Sequence, residues 1–280
     1  MPDFAYVVCD VFTNRPLSGN QLAVFTEAVG LPEELLQPLA REMNYSETVF
    51  VLPPEQGGDA RIRIFTPGRE LPFAGHPVLG TAFVVGGRTG GDAVRLECGL
   101  GVIPIELRRE DGRIVFGRME QPIPSWEPFA GADRLLAALG VKASGLPVEI
   151  YRNGPEHVYV ALGSKADVAA LRPDMGALAA ATAAGAYCFA GSGRHWKSRM
   201  FAPAFGFDED PATGAGAGPL AVHLARHGRI GFGEEIEISQ GVEMGRPSKL
   251  YSRAEGGPEV IERVQVGGGA VFVAEGVFHL

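Results

Sequence analysis

Short stretches of the chain alternate polar and apolar residues, and breaks rich in glycine and proline separate them. Residues 60–66, Ala-Arg-Ile-Arg-Ile-Phe-Thr, alternate as a half-buried strand does. Comparable runs predict strands at 4–12, 21–25, 94–98, 102–108 and 113–118, with 44–52 leading into another. Later strands are predicted at 148–152, 157–162, 186–190, 198–201, 235–239, 248–253, 260–266 and 270–275. Helical spacing appears in fewer places. Residues 32–43 predict a helix, with Glu33 and Glu34 in its first turn and Leu35, Leu36, Leu39 and Met43 on its inner face. Pro38 interrupts that pattern, because proline removes a hydrogen bond from a helix interior. Further helices are expected after Pro77, at 133–139 and within the Ala-rich stretch 174–184.

The most informative stretch is 207–226, which reads as an acidic turn with Pro211 followed by small residues from Ala212 to Gly218. Ala217, Leu220, Ala221 and Leu224 then recur at helical spacing, and Gly228 stands where a helix C-terminal glycine belongs. A weaker counterpart in the first half runs from Glu70 to Val85, with Gly75 and His76 just ahead of the helix-opening Pro77. Each half thus reads as strands, one apolar helix, then more strands. The proline-rich segment 121–128 is the best boundary between them. The expected domains are 1–120, joined by a C-terminal strand within 270–280, and 121–269.

Small residues at a helix start let a ligand approach the free backbone N–H donors, which favour an anion. Such starts also serve simply to let a helix lie close to a sheet. Neither nucleotide-binding fingerprint is met, since no Gly-Lys-Ser/Thr follows and no G-x-G-x-x-G opens after the first strand. A pair of such starts fits a small carboxylate-bearing substrate.

A length of 280 residues suits one large domain or two ordinary ones, and 39 glycines with 21 prolines point to many turns. The net charge of −8, without a basic run, argues against a nucleic-acid partner. No apolar run reaches the length of a membrane span, and the N-terminus reads as a strand rather than a signal peptide. Cys9, Cys98 and Cys188 are scattered in apolar surroundings with no metal-ligand spacing. Buried free thiols in the cytoplasm are expected, and no metal site.

Several motifs together carry a resemblance: residues 18–25 (Ser-Gly-Asn-Gln-Leu-Ala-Val-Phe), 44–50 (Asn-Tyr-Ser-Glu-Thr-Val-Phe), 71–77 (Leu-Pro-Phe-Ala-Gly-His-Pro), 210–214 (Asp-Pro-Ala-Thr-Gly) and 240–247 (Gln-Gly-Val-Glu-Met-Gly-Arg-Pro). The connecting pieces 119–126, 152–155, 188–191 and 218–228 extend it over essentially the whole chain. The sequence resembles the PhzF-type phenazine-biosynthesis isomerases, relatives of diaminopimelate epimerase. The resemblance implies an α+β fold of two similar domains, each a curved, mostly antiparallel sheet wrapped around a central helix, with the active site in the cleft between them. It also implies a homodimer without cofactor. The implied reaction converts trans-2,3-dihydro-3-hydroxyanthranilate to an amino-ketone by single-carboxylate proton transfer. Alternatives are an isomerase or epimerase of a related amino or hydroxy acid, or a non-catalytic ligand-binding homologue.

Residue by residue, the resemblance makes Glu47 the acid/base. A carboxylate just ahead of the apolar 49–51 run is partly desolvated, which suits it to take and return a proton. Read without the family, Glu47 is more often an exposed loop glutamate. His76 matches a histidine that bonds the substrate or protonates the forming enolate, although a histidine there can also be a cap. Asp210 matches a contact to the substrate amino group, and is equally a turn residue. Asn20, Ser46, Gly75, Thr213, Gly214, Ala215 and Gly216 are the expected substrate-binding positions. The remaining histidines read as structural or exposed. Diaminopimelate epimerase carries a cysteine at each helix start, where this chain is expected to hold Ala74 and Pro211. One carboxylate without an opposing thiol fits an isomerisation rather than a two-base racemisation. The chain departs from the family pattern at Ala215, where a serine generally follows Thr-Gly. The expected hydroxyl is missing, and backbone N–H groups of Ala215 and Gly216 are left to bind the carboxylate.

Overall fold

A computed structural model describes residues 3–280, and the chain divides into two compact units. One unit is the chain up to Gln121 together with Gln265–Leu280, and the other is Pro122–Val264. In chain order the first contains β1 (Asp3–Val11), β2 (Asn20–Phe25), α1 (Glu33–Met43), β3 (Glu47–Leu52), β4 (Ala60–Phe65), β5 (Glu70–Leu71), α2 (Gly75–Thr89), β6 (Ala93–Cys98), β7 (Gly101–Glu110) and β8 (Arg113–Gln121). The second contains β9 (Ser125–Pro128), α3 (Ala132–Leu139), β10 (Glu149–Arg152), β11 (Glu156–Ala161), α4 (Lys165–Ala170), α5 (Met175–Ala181), β12 (Gly185–Ser192), β13 (His195–Ala202), β14 (Phe207–Asp210), α6 (Gly214–Arg226), β15 (Ile236–Gln240) and β16 (Ser248–Gly256). The chain returns to the first unit through β17 (Ile261–Gly268) and ends in β18 (Ala270–His279).

In the first unit β18 pairs antiparallel with β1, and β1 with β2. β2 pairs parallel with β3, β3 antiparallel with β4, and β4 parallel with β6, after which β6, β7 and β8 form a meander. Helix α2 touches β1, β2, β3, β6, β7 and β8, so the sheet curls around it. Every residue of α2 from Gly75 to Gly86 is buried, as expected of a helix that is apolar all round. Its glycines let the strands close in: a Cβ on Gly80 would lie 2.6 Å from the Leu22 side chain and 2.8 Å from Val11. A second apolar layer packs Leu36, Leu39 and Ala40 of α1 against Phe25, Phe50 and Phe65. Pro38 lies on the exposed side of α1, where the carbonyl it leaves without a partner can bond to water.

The second unit repeats this connectivity. β9 and β10, then β10 and β11, pair antiparallel, and β11 pairs parallel with β12. β12 pairs antiparallel with β13, β13 parallel with β15, and β15 antiparallel with β16. Helix α6 takes the place of α2 and is buried from Gly214 to Ala225. Helices α3, α4 and α5 cover the other face over a core of Leu135, Leu139, Val168, Leu171 and Leu178 with strand residues such as Val158 and Phe201.

Two expectations are corrected. The acidic stretch 207–210 is strand β14 rather than a turn, with Met200 opposite Asp210 and Phe201 opposite Glu209. Arg199 binds the Glu209 carboxylate with two bonds of 2.7 and 2.8 Å, so a neighbouring strand compensates the charge. Helix α4 was not anticipated, although Ser164 caps it by accepting the Asp167 N–H, the signature of a Ser-x-x-Asp start. All of Cys9, Cys98 and Cys188 are free and buried, in agreement with the sequence. Among the described residues no helix is long and apolar enough to cross a membrane.

Candidate active site

In the first unit the parallel pair β2 and β3 and the helix α2 bring four predicted residues to one point. Asn20 opens β2, Glu47 opens β3, Ser46 immediately precedes it, and His76 is the second residue of α2. Local sequence explains each placement. Gly19 has φ +68, and its missing Cβ would run into the Val11 carbonyl, so only glycine delivers Asn20 there. Asn44 ends α1 in the left-handed conformation, donating its N–H to Ala40, and so turns the chain into β3.

The Glu47 Oε2 atom lies 3.3 Å from His76 Nε2. Asn20 places its amide nitrogen 3.2 Å from His76 Nδ1, and Ser46 donates a 2.9 Å bond to the Asn20 amide oxygen. Burial pushes the His76 pKa down to about 3, a bond to the Gln21 backbone opposing it only in part. The imidazole is therefore neutral, and the contact is not an ion pair. His76 Nε2 makes no hydrogen bond within the protein, although it lies this close to the carboxyl. The Glu47 side chain is 12% exposed, which leaves it reachable by a small ligand. Gly75 and His76 lie in the first turn of α2, and the N-cap Ala74 has no polar side chain to cap their N–H groups.

In the second unit Asp210, Thr213, Gly214, Ala215 and Gly216 also come together, at the start of α6. Thr213 Oγ1 donates to Asp210 Oδ2 at 2.6 Å. Gly216 N–H donates to the Thr213 carbonyl at 3.0 Å, so it is not the unengaged donor that the sequence suggested. The Ala215 N–H has no acceptor inside the helix. A Cβ on Gly216 would sit 2.6 Å from the Tyr187 ring, so only glycine fits. Ala74 is the N-cap of α2, whereas Pro211 lies two residues ahead of the α6 N-cap Thr213. Neither position carries a thiol.

Three residues with no role in the sequence reading fix this helix start. Asn153 donates to the Ala215 carbonyl at 3.0 Å, Tyr159 donates to the Gly216 carbonyl at 2.6 Å, and Gln240 bonds both Asp210 and Thr213. Asn153 and Gln240 stand inside recognised motifs, but only the fold shows what they touch.

One further cluster has the composition of a metal centre. Glu149, His223 and His227 offer ligand atoms within 4.8 Å of one another, His223 in the last turn of α6 and His227 its C-cap. Arg226, however, binds the same Glu149 Oε2 at 2.8 Å and lies 4.3 Å above the Trp126 ring. Its guanidinium supplies the positive charge a cation would bring, and it would repel one. Burial opposes ionisation of Glu149, yet bonds from His223, Arg226, His227 and Tyr151 hold its carboxyl well below the usual range. This is a charge-compensated network that ties α6 to β10.

The family model for phenazine biosynthesis-like proteins, PhzC-PhzF, matches residues 9–276. The chain belongs to this family. It is 55% identical over 275 residues to a trans-2,3-dihydro-3-hydroxyanthranilate isomerase of Pseudomonas aeruginosa, covering 98% of this chain and 99% of that one. An isomerase of the same name from Pseudomonas fluorescens is 52% identical over the same span. Among solved structures, a PhzF-family protein of Bacillus anthracis superposes with a TM-score of 0.87 at 26% identity, covering 100% of both chains. A probable proline racemase from Agrobacterium radiobacter, 12% identical with a TM-score of 0.66, shares the fold. The chain thus has the diaminopimelate epimerase-like α+β architecture that the resemblance implied.

Proposed function

We propose that this PhzF-family protein is a trans-2,3-dihydro-3-hydroxyanthranilate isomerase of phenazine biosynthesis, with Glu47 as its proton carrier. The observation that carries the reading is the buried Glu47–His76 pair, 3.3 Å apart, in a chain 55% identical to an isomerase of that name. In the proposed reaction the Glu47 carboxylate takes a proton from a substrate carbon. Electrons shift along the ring, and the same carboxyl returns a proton to another carbon, so that no atom is gained or lost. Neutral His76 donates a hydrogen bond to the developing enolate oxygen, because a ring that resists protonation serves as a donor rather than as the base. Asp210 pairs with the substrate amino group. The first-turn N–H group of Ala215 receives the carboxylate.

The test is an isotope experiment. Substrate deuterated at the abstracted carbon should give a product carrying part of the label at the accepting carbon, since one carboxyl makes both transfers. Washout of the label even in a single turnover would contradict a single carrier shielded from solvent. Ala215 favours a second reading, in which the same chemistry acts on a related amino or hydroxy acid. We propose also that the enzyme is a cytoplasmic homodimer. The exposed Phe272 and Val277 on β18 support the dimer, and the buried free cysteines suit a reducing compartment.

A further inference from the structure

Gln240 is the last residue of β15, opposite Ser248 of β16, and is fully buried. Its amide nitrogen donates to the Asp210 carbonyl and to Thr213 Oγ1, each at 2.8 Å. Its amide oxygen accepts the Thr213 N–H at 3.2 Å and the Ser198 hydroxyl at 3.2 Å. An amide nitrogen can only donate, so the Thr213 oxygen acts as its acceptor and the Thr213 proton must go to Asp210 Oδ2. One side chain thereby sets the direction of the chain from Gln240 through Thr213 to Asp210.

The neighbouring residues tighten the same grip. Gly241 has φ +73, and a Cβ there would stand 2.5 Å from the Pro211 carbonyl. Ser248 Oγ lies 2.9 Å from that carbonyl and can donate to it. The segment 210–213 is held at two carbonyls, one N–H and one hydroxyl, all from the β15–β16 hairpin. A buried glutamine that merely satisfied itself would not need to bond two predicted ligand-binding residues at once.

We infer that Gln240 is a positioning residue for substrate binding, orienting the Asp210 carboxylate and fixing the first turn of α6 where the substrate is received. This rests on the isomerase reading above. The residues it orients bind the substrate and do not move its protons, so its loss acts on ground-state binding more than on the chemical step.

The test compares Gln240→Met, Gln240→Glu and Ser198→Ala in the full-length protein. Gln240→Met keeps the length of the side chain and removes its bonds. It should raise KM about tenfold while kcat changes by less than about threefold. Gln240→Glu puts a second carboxylate beside Asp210, and should move the acidic limb of kcat/KM upward by about one pH unit. Ser198→Ala loses a bond to Gln240 but none to Asp210 or Thr213, so it should lower stability and leave KM unchanged. An unchanged KM in Gln240→Met would overturn the inference. So would an equal rise in KM in Ser198→Ala, because the effect would then be general loosening. Hydrogen exchange needs no substrate: the amides of Thr213, Gly214 and Ala215 should exchange about tenfold faster in Gln240→Met, and unaltered exchange would overturn the grip itself. If the wild-type protein fails to turn over dihydrohydroxyanthranilate, the functional reading is what fails, and the exchange measurement still decides whether Gln240 holds the loop.

Discussion

Thr213 gives its hydroxyl proton to Asp210 Oδ2 across 2.6 Å and accepts a bond from Gln240 on its other side. The hydroxyl therefore has no proton left for a ligand carboxylate, and its role is to hold Asp210. Thr213→Val keeps the shape and removes both bonds, one of them to a carboxylate. It should destabilise the protein by about 1.5–3 kcal/mol in urea unfolding, with Thr213→Ser close to wild type. Equal midpoints for valine and threonine would show that the bond contributes nothing.

Thr213 cannot make up for the hydroxyl missing at Ala215, because its own proton is given to Asp210. Ala215 is buried in the first turn of α6, and Asn153 holds its carbonyl. Ala215→Ser adds one donor for a bound carboxylate, and should tighten binding of 3-hydroxyanthranilate roughly three- to thirty-fold in calorimetry. Weaker binding would mean that the pocket is shaped for a bulkier acid, and the second functional reading would then lead.

The buried histidines give stability a pH dependence. His76 and His157 are pushed down from the ordinary 6.5 to about 3 and about 4, in both cases chiefly by burial. Below pH 6.5 the unfolded chain takes up protons that these folded rings refuse, so stability falls with acid. Each ring contributes about 1.4 kcal/mol per pH unit to that fall. Glu149, held below the carboxylate range, loses its contribution only below about pH 4.5 and leaves the interval from pH 7 to pH 5 to the histidines. The urea midpoint should drop steadily over that interval, and less steeply in His157→Gln. A flat profile would contradict the burial of neutral rings.

Thiol chemistry should play no part. Burial pushes the thiols of Cys9 and Cys188 up to about 12, and that of Cys98 also rises. Iodoacetamide at neutral pH should leave the activity of folded protein almost unchanged, since the thiolate is the reactive form. Inactivation without unfolding would favour an epimerase-like mechanism.

Much of this was legible because the motifs are local. Ser-Gly-Asn, Tyr-Ser-Glu-Thr and Ala-Gly-His-Pro each mark the start of an element, and element starts are where β2, β3 and α2 converge. The fold class followed from the motifs, and the strand pattern agreed with it. Other features were hidden for physical reasons. β14 looks like a turn until Arg199, ten residues earlier, is seen to compensate Glu209. The engagement of the Gly216 N–H depends on where α6 begins, which apolar spacing from Ala217 onward does not mark. Gln240 meets Asp210 only because β15 lies beside β13, a parallel pairing that no local pattern encodes.

The central claim is that Glu47 carries the proton. Its most direct test is the turnover of Glu47→Gln at saturating dihydrohydroxyanthranilate, in folded protein shown to bind 3-hydroxyanthranilate. Glutamine keeps the size and the contact to His76 but cannot accept and return a proton. The account predicts a fall in kcat of at least about 10²–10⁴-fold with binding retained. Turnover within about threefold of wild type would contradict it, and the proton carrier would have to be sought elsewhere.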